Sequence, residues 1–223
     1  MFDIFELETT LMTPLIKFIL KHPGVMESKL FLKVMLVFPE RISKNYDAMI
    51  EKSGIDYQAA LSEGLLRINN NPKNILDLCT GTGFAAFMAA KHFPEATVDA
   101  IDQSNGMIEI AKKKADESGV NNVQFKLGNV RKLDYADNTF DLIVTSNAPV
   151  YIAEAARVLK AGALLLVSYS FGGEAFVKAQ SNISKFLEGN GLKLLEVKNV
   201  GSGAYVLGVR VPGQRVDQGV QVV

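Results

Sequence analysis

Ile75-Leu76-Asp77-Leu78-Cys79-Thr80-Gly81-Thr82-Gly83-Phe84 is the stretch that decides how this chain folds. Its first half is short and apolar, as a buried strand is, and its second half carries two glycines ahead of an alanine-rich run. A strand therefore ends in a tight turn, and a helix begins at Phe84. Glycines suit a turn that folds sharply and lets a ligand lie against the backbone with no Cβ between them. The helix start then offers free N–H groups to an electron-rich ligand atom. Alone, the turn is ambiguous, because Gly81-x-Gly83-x-x-Ala86 also fits the loose dinucleotide pattern with alanine in third place.

Three neighbouring features narrow it. Asp77 sits where it can face the turn; a second acid beside a pyrophosphate is repulsive, whereas an ammonium group is attracted to it. The next strand ends at Asp102, about 20 residues past the glycines, where an acid can accept both hydroxyls of a ribose. A third strand runs into Gly128-Asn129-Val130, where a polar side chain can reach an adenine edge. An adenosine with a cationic amino-acid tail and no phosphate suits all three.

Outward from this turn, short apolar runs alternate with helical stretches, the pattern of βαβ units and a parallel sheet. Strands are expected at 74–79, 97–101, 123–127, 140–145 and 163–168, and helices at 84–92, 106–118, 151–159 and 175–189. Residues 193–200 and 204–211 alternate around Gly201-Ser202-Gly203; so short a link requires an antiparallel hairpin. The expected fold is α/β, a doubly wound, mostly parallel seven-stranded sheet with a C-terminal antiparallel hairpin and a helical N-terminal extension. Three regions follow: a helical extension or cap over 1–72, with helices at 40–52 and 57–68, a core over 73–211, and a tail over 212–223. Asp56 can cap the helix at 57–68.

The bulk numbers weigh against several functions. Lys+Arg and Asp+Glu both number 24 in 223 residues, so the basic excess typical of a nucleic-acid binder is missing. One cysteine, Cys79, rules out an internal disulfide, and two distant histidines make no metal cluster. The acidic N-terminus lacks the positive start of a secretory signal, and the apolar runs at 15–20 and 30–38 are too short to span a bilayer. The expectation is a cytoplasmic protein acting on a small molecule, with no nucleic-acid partner, no membrane span, and a homodimer as one arrangement for the apolar extension.

Five segments carry a family resemblance: ILDLCTGTGF, VDAIDQSNGMIEIAKKKA, VQFKLGNVRKL, NTFDLIVTSN and ARVLKAGALLLVS. In this order and spacing the chain resembles the class I S-adenosylmethionine (SAM)-dependent methyltransferases, particularly those of small molecules. The resemblance implies SAM as cofactor, converted to S-adenosylhomocysteine (SAH). It also implies a cofactor-binding set of Asp77, Cys79, Thr80, Gly81, Gly83, Asp102, Gln103, Met107, Asn129, Val130, Ser146 and Tyr46. In that set the glycine turn and Asp77 hold the methionine part, Asp102 the ribose, and Ser146 with Asn147 flanks the sulfonium. The position of Asn129 is usually aspartate in the family. Ser43-Lys44-Asn45-Tyr46-Asp47 resembles the Tyr-Asp element that in many members folds over the cofactor. Asn147-Ala148-Pro149-Val150-Tyr151 is not a match to the Asn-Pro-Pro-Tyr element of enzymes that methylate bases and glutamine.

Plainer roles stand beside these. Asp102 can cap a helix, Asp77 can cap loop amides, Asn129 can be a turn residue, Asp99 can be structural, and Asp141 can cap the start of a strand. Cys79 reads as a small loop residue rather than a nucleophile, and the lysines at 112–114 as a solvated helix face. No catalytic base can be nominated, and no metal site. The competing functions are a SAM-binding protein without catalysis, a nicotinamide-dependent oxidoreductase and a nucleic-acid methyltransferase.

Overall fold

The computed structural model describes residues 46–213; the remainder of the extension, His22 and the end of the tail lie outside the described residues. In chain order the elements are α1 (Tyr46–Ser53), α2 (Ala59–Leu65), β1 (Asn74–Leu78), α3 (Phe84–His92), β2 (Thr97–Asp102) and α4 (Asn105–Ser118). Then come β3 (Val123–Leu127), β4 (Phe140–Ser146), α5 (Ile152–Val158), β5 (Leu159–Tyr169) and α6 (Gly173–Lys178). The last are α7 (Gln180–Gly189), β6 (Leu192–Val200) and β7 (Gly203–Arg210). The strands form one sheet in the order β3-β2-β1-β4-β5-β7-β6. β3, β2, β1, β4 and β5 are parallel, and β7 lies antiparallel to both β5 and β6.

Alternation along the buried strands sends side chains to two apolar layers. Leu76, Leu78 and Ile143 pack with Ile152, Val158, Phe176 and Leu187 on one face. Ile75, Val98, Leu142 and Leu166 pack with α3, α4 and α2 on the other. Alanines 85, 86, 89 and 90 are all buried, so α3 packs closely on the sheet. Leu61, Leu65 and Ile68 belong to the same cluster as the strands, and a Cβ on Gly64 would stand 2.5 Å from Leu166. Asp56 Oδ1 accepts from the amides of Gln58 and Ala59, which fixes the chain ahead of α2.

Several boundaries differ from expectation. Residues 175–189 are two helices, broken at Ala179, and the strand expected over 163–168 starts at Leu159, ahead of Gly162. Gly162 has φ +79, and the register with β4 shifts between Phe140 and Leu142, so the strand absorbs that glycine as an irregularity. The segment expected as helix over 57–68 is helical only over Ala59–Leu65.

Candidate active site at the carboxyl edge of the sheet

The register aligns Leu78 with Ile101 of β2, and Asp77 with Val144 of β4. The ends of β1, β2 and β4 therefore emerge side by side, and the turn 79–83 sits among them. The Thr80 N–H donates to the Ile101 carbonyl at 2.9 Å, and the Gly81 N–H to Asp102 Oδ2 at 2.9 Å. The turn is thereby stapled to the end of β2. Cys79, Gly81 and Gly83 have φ of +57°, +54° and +94°. The left-handed cysteine costs about 1–2 kcal/mol, strain that the surrounding hydrogen bonds hold in place. At Gly83 the need is also steric, since a Cβ would come within 2.6 Å of the Phe87 ring.

Asp77 shares the face of Ile75 and is fully buried. Its Oδ2 accepts from the Thr80 hydroxyl at 2.6 Å, while Oδ1 has no hydrogen-bond partner among the described residues. Burial pushes this carboxyl up to about 7; the Thr80 hydroxyl pulls it down, as does the nearby Ala86 amide without making a hydrogen bond to Oδ1, and the Asp102 charge adds to the rise. A buried acid with half its capacity unmet is costly. A cationic group beside the turn would relieve that cost.

Asp102 is also buried, and both its oxygens are engaged: Oδ1 accepts from the Ser104 N–H and Oδ2 from the Gly81 N–H, each at 2.9 Å. The cap of α4 is Ser104, which accepts from the Met107 amide at 3.2 Å. Asp102 thus braces the turn rather than capping the helix. Met107, in the first turn of α4, is buried and Gln103 is exposed at the edge. Beyond β3, Asn129 is exposed and its Oδ1 accepts from the Arg131 amide at 3.0 Å, the turn-residue arrangement, while Val130 packs on the core.

At the end of β4, Ser146 and Asn147 are half-buried, and Asn147 has φ +54°. Cys79 keeps partial exposure, its thiol lies 3.9 Å from the Pro149 carbonyl, and burial, then the Asp102 and Asp77 charges, push its pKa up. It is a protonated turn residue, not a nucleophile. The strand-start acid behaves as expected: Asp141 Oδ2 accepts from the Lys73 and Asn74 amides, and Oδ1 pairs with Lys160. Asp99 pairs with Lys126, a structural use.

Tyr46 opens α1, and its side chain lies outside the described residues. The residue beside it is the informative one. Asp47 accepts from the Thr82 hydroxyl of the turn at 2.8 Å and pairs with Lys114 of α4 at 2.6 Å. Lys114 is therefore not simply a solvated lysine, and Asp47 was legible only as the neighbour of Tyr46. Ser170, bonded to Asn147, had no signal in the sequence. Among the described residues no group of acids, histidines and cysteine could hold a metal, and no helix is long and apolar enough to cross a membrane.

Residues 69–199 match the family described as "Methyltransferase domain". The chain belongs to the class I SAM-dependent methyltransferase family. It is 43% identical over 88 residues to a ribosomal protein uL3 glutamine methyltransferase of Bradyrhizobium diazoefficiens, covering 39% of this chain and 27% of that protein. It is 32% identical over 143 residues to a demethylmenaquinone methyltransferase of Listeria welshimeri, covering 60% of each chain. A SAM-dependent methyltransferase structure from Aquifex aeolicus superposes with a TM-score of 0.58 at 24% identity, over 69% of this chain and 90% of that one, a likeness of fold. The matched stretches thus span between about a quarter and three fifths of these curated relatives.

Proposed function

We propose that this protein transfers a methyl group from SAM to a small, hydrophobic acceptor, with SAM held at the carboxyl edge of β1, β2 and β4. The observation that carries the reading is Asp77: a buried carboxylate oxygen without a partner, beside a glycine turn, fits a ligand ammonium. Asp102 suits a ribose, because its carboxylate closes β2 beside the glycine turn, where an acid can accept from ribose hydroxyls. Gly81, Gly83, Thr80 and Cys79 form the wall against the cofactor's tail, Gln103 and Met107 the floor under its adenosine, and Ser146 the side toward the sulfonium. Asn129 and Val130 lie next to the adenine, and α1, with Tyr46, covers the site as part of the 1–72 extension. A pyrophosphate fits this edge poorly, with two buried acids at the turn.

SAM supplies an activated methyl group on a sulfonium. The protein's work is to orient the acceptor's lone pair in line with the methyl carbon, and to keep water out, as the carbon–sulfur bond gives way to the new bond and SAH leaves. The acceptor's proton, where there is one, goes to solvent. The apolar composition of the N-terminal extension, rich in Phe, Leu and Met, supports an apolar acceptor. The glutamine-specific alternative is weakened by Asn147, whose carboxamide is already committed to Ser170. The test is transfer of labelled methyl from SAM to two panels, apolar hydroxylated or quinol aromatics and glutamine-bearing proteins. Label in the first panel alone is expected; label confined to the second overturns the acceptor assignment.

A further inference from the structure

Asn147 is a residue whose backbone and side chain both need explaining. Its φ of +54° places it in the left-handed region, where asparagine is tolerated and most residues are not. Its amide N–H donates to the Ser168 carbonyl of β5 at 2.9 Å. Its Oδ1 accepts from the Ser170 amide at 2.8 Å, and its Nδ2 donates to the Ser170 hydroxyl at 2.9 Å and, more loosely, to Ser146 at 3.4 Å. Ser170 is itself buried; its hydroxyl donates to the Tyr57 carbonyl, and its carbonyl accepts from Ser202 in the β6–β7 turn. One carboxamide therefore joins the end of β4 to the end of β5, and through Ser170 reaches the segment before α2 and the hairpin turn.

The following loop is fastened in the same manner. The Tyr169 hydroxyl donates to the Ala148 carbonyl at 2.8 Å, and the Tyr169 ring stacks on Phe176 with centroids 4.6 Å apart. The Arg131 guanidinium stands 5.8 Å from the centre of the Tyr151 ring. Residues 146–151 thus form a fixed ledge, although beyond Ser146, the last residue of β4, the stretch has no regular element.

We propose that Asn147 is a positioning residue: its bracket to Ser170 fixes Ser146 and the ledge against the cofactor site, and its carboxamide is a strut rather than a ligand for the acceptor. This rests on the functional reading above, in that Ser146 is taken to face the sulfonium. A direct ligand has its polar atoms free toward the ligand; here both are spent inward on Ser170. The left-handed backbone serves the same end, because it turns the side chain back toward β5.

The test compares Asn147→Gly, Ser170→Ala and the double variant by SAH titration, and by amide hydrogen exchange of residues 146–151 without ligand. Glycine keeps the left-handed backbone and removes only the bracket. Asn138→Gly, at φ +56° near the opposite end of β4, controls for the general effect of a new glycine. The expected results are about tenfold weaker SAH binding for Asn147→Gly, about threefold for Ser170→Ala, and a double variant no worse than Asn147→Gly. Asn138→Gly should bind normally, and exchange across 146–151 should quicken in both bracket variants. A large loss of binding in Asn147→Gly with unchanged exchange across 146–151 identifies a direct ligand and overturns the proposal; Ser170→Ala keeps the Ser170 amide bond to Asn147 Oδ1, which is why its expected loss is the smaller. Failure of the wild-type protein to bind SAH sinks the functional reading instead, and the exchange result still decides whether the bracket holds the ledge.

Discussion

Two aspartates flank the same central pair of strands, at opposite ends, and the chain treats them in opposite ways. Asp141, at the amino edge, accepts from the Lys73 and Asn74 amides and pairs with Lys160. Burial alone would raise its pKa, but the Lys160 ammonium and the two amides outweigh that and hold it below the ordinary value. Asp77, at the carboxyl edge, receives one hydroxyl, leaves one oxygen unmet, and is pushed up to about 7. The fold gives Asp141 its partners and leaves Asp77 short of one, as the ligand-binding role proposed for Asp77 requires.

The sharpest way to break this contrast is to neutralise each acid in turn. Asp77→Asn is expected to weaken SAH binding by about a hundredfold or more, the loss of a buried charge pair, while the ligand-free protein unfolds at the same or a higher temperature. Unchanged SAH affinity in a titration of this variant removes Asp77 from the site. Asp141→Ala is expected to do the reverse. It should lower stability by about 1–3 kcal/mol through stranded amides, read by denaturant unfolding, with SAH affinity unchanged.

The two acids also predict opposite responses to pH. Asp77 has a folded-state pKa raised above its unfolded value, so its favourable contribution is full below about pH 4 and is lost as pH rises through about 7. Asp141 is lowered, so its contribution is present above the ordinary carboxylate range and is lost as pH falls through its depressed value. The proposed contact with the ligand ammonium requires Asp77 ionised. SAH affinity should therefore fall by up to about tenfold per unit as pH drops below about 7, with proton release on binding near neutrality. A flat profile from about pH 6 to about pH 8 contradicts the assignment.

The smallest expected effect concerns α1. Asp47 and Lys114 keep 43% and 35% of their side-chain surface exposed, so their ion pair is screened by water. Asp47→Ala should weaken SAH binding by only about two- to threefold, chiefly through the lost Thr82 hydrogen bond. A loss as large as that of Asp77→Asn would make α1 a principal wall of the site.

What was legible in the sequence is what local pattern determines. The strand–turn–helix at 75–84 is spelled by apolar run, glycines and alanines, and Asp77 and Asp102 follow from their places at strand ends. Asp141 was readable as a strand-start cap for the same reason. The Asp47–Thr82 and Asn147–Ser170 contacts join residues 35 and 23 positions apart, and residue type alone does not select such partners. The break at Ala179 has neither glycine nor proline beside it, so helical periodicity ran through it unmarked. Asn129, expected as an adenine contact or a turn residue, accepts from the Arg131 amide two residues on, as a turn residue does.

With two buried acids at the turn, the carboxyl edge between β1 and β2 suits a cationic adenosine ligand better than a dinucleotide. Parallel calorimetric titrations with SAH and NAD at about pH 8, where Asp77 is ionised, test it most directly. The prediction is saturable SAH binding with 1:1 stoichiometry and no heat from NAD. NAD binding without SAH binding contradicts it.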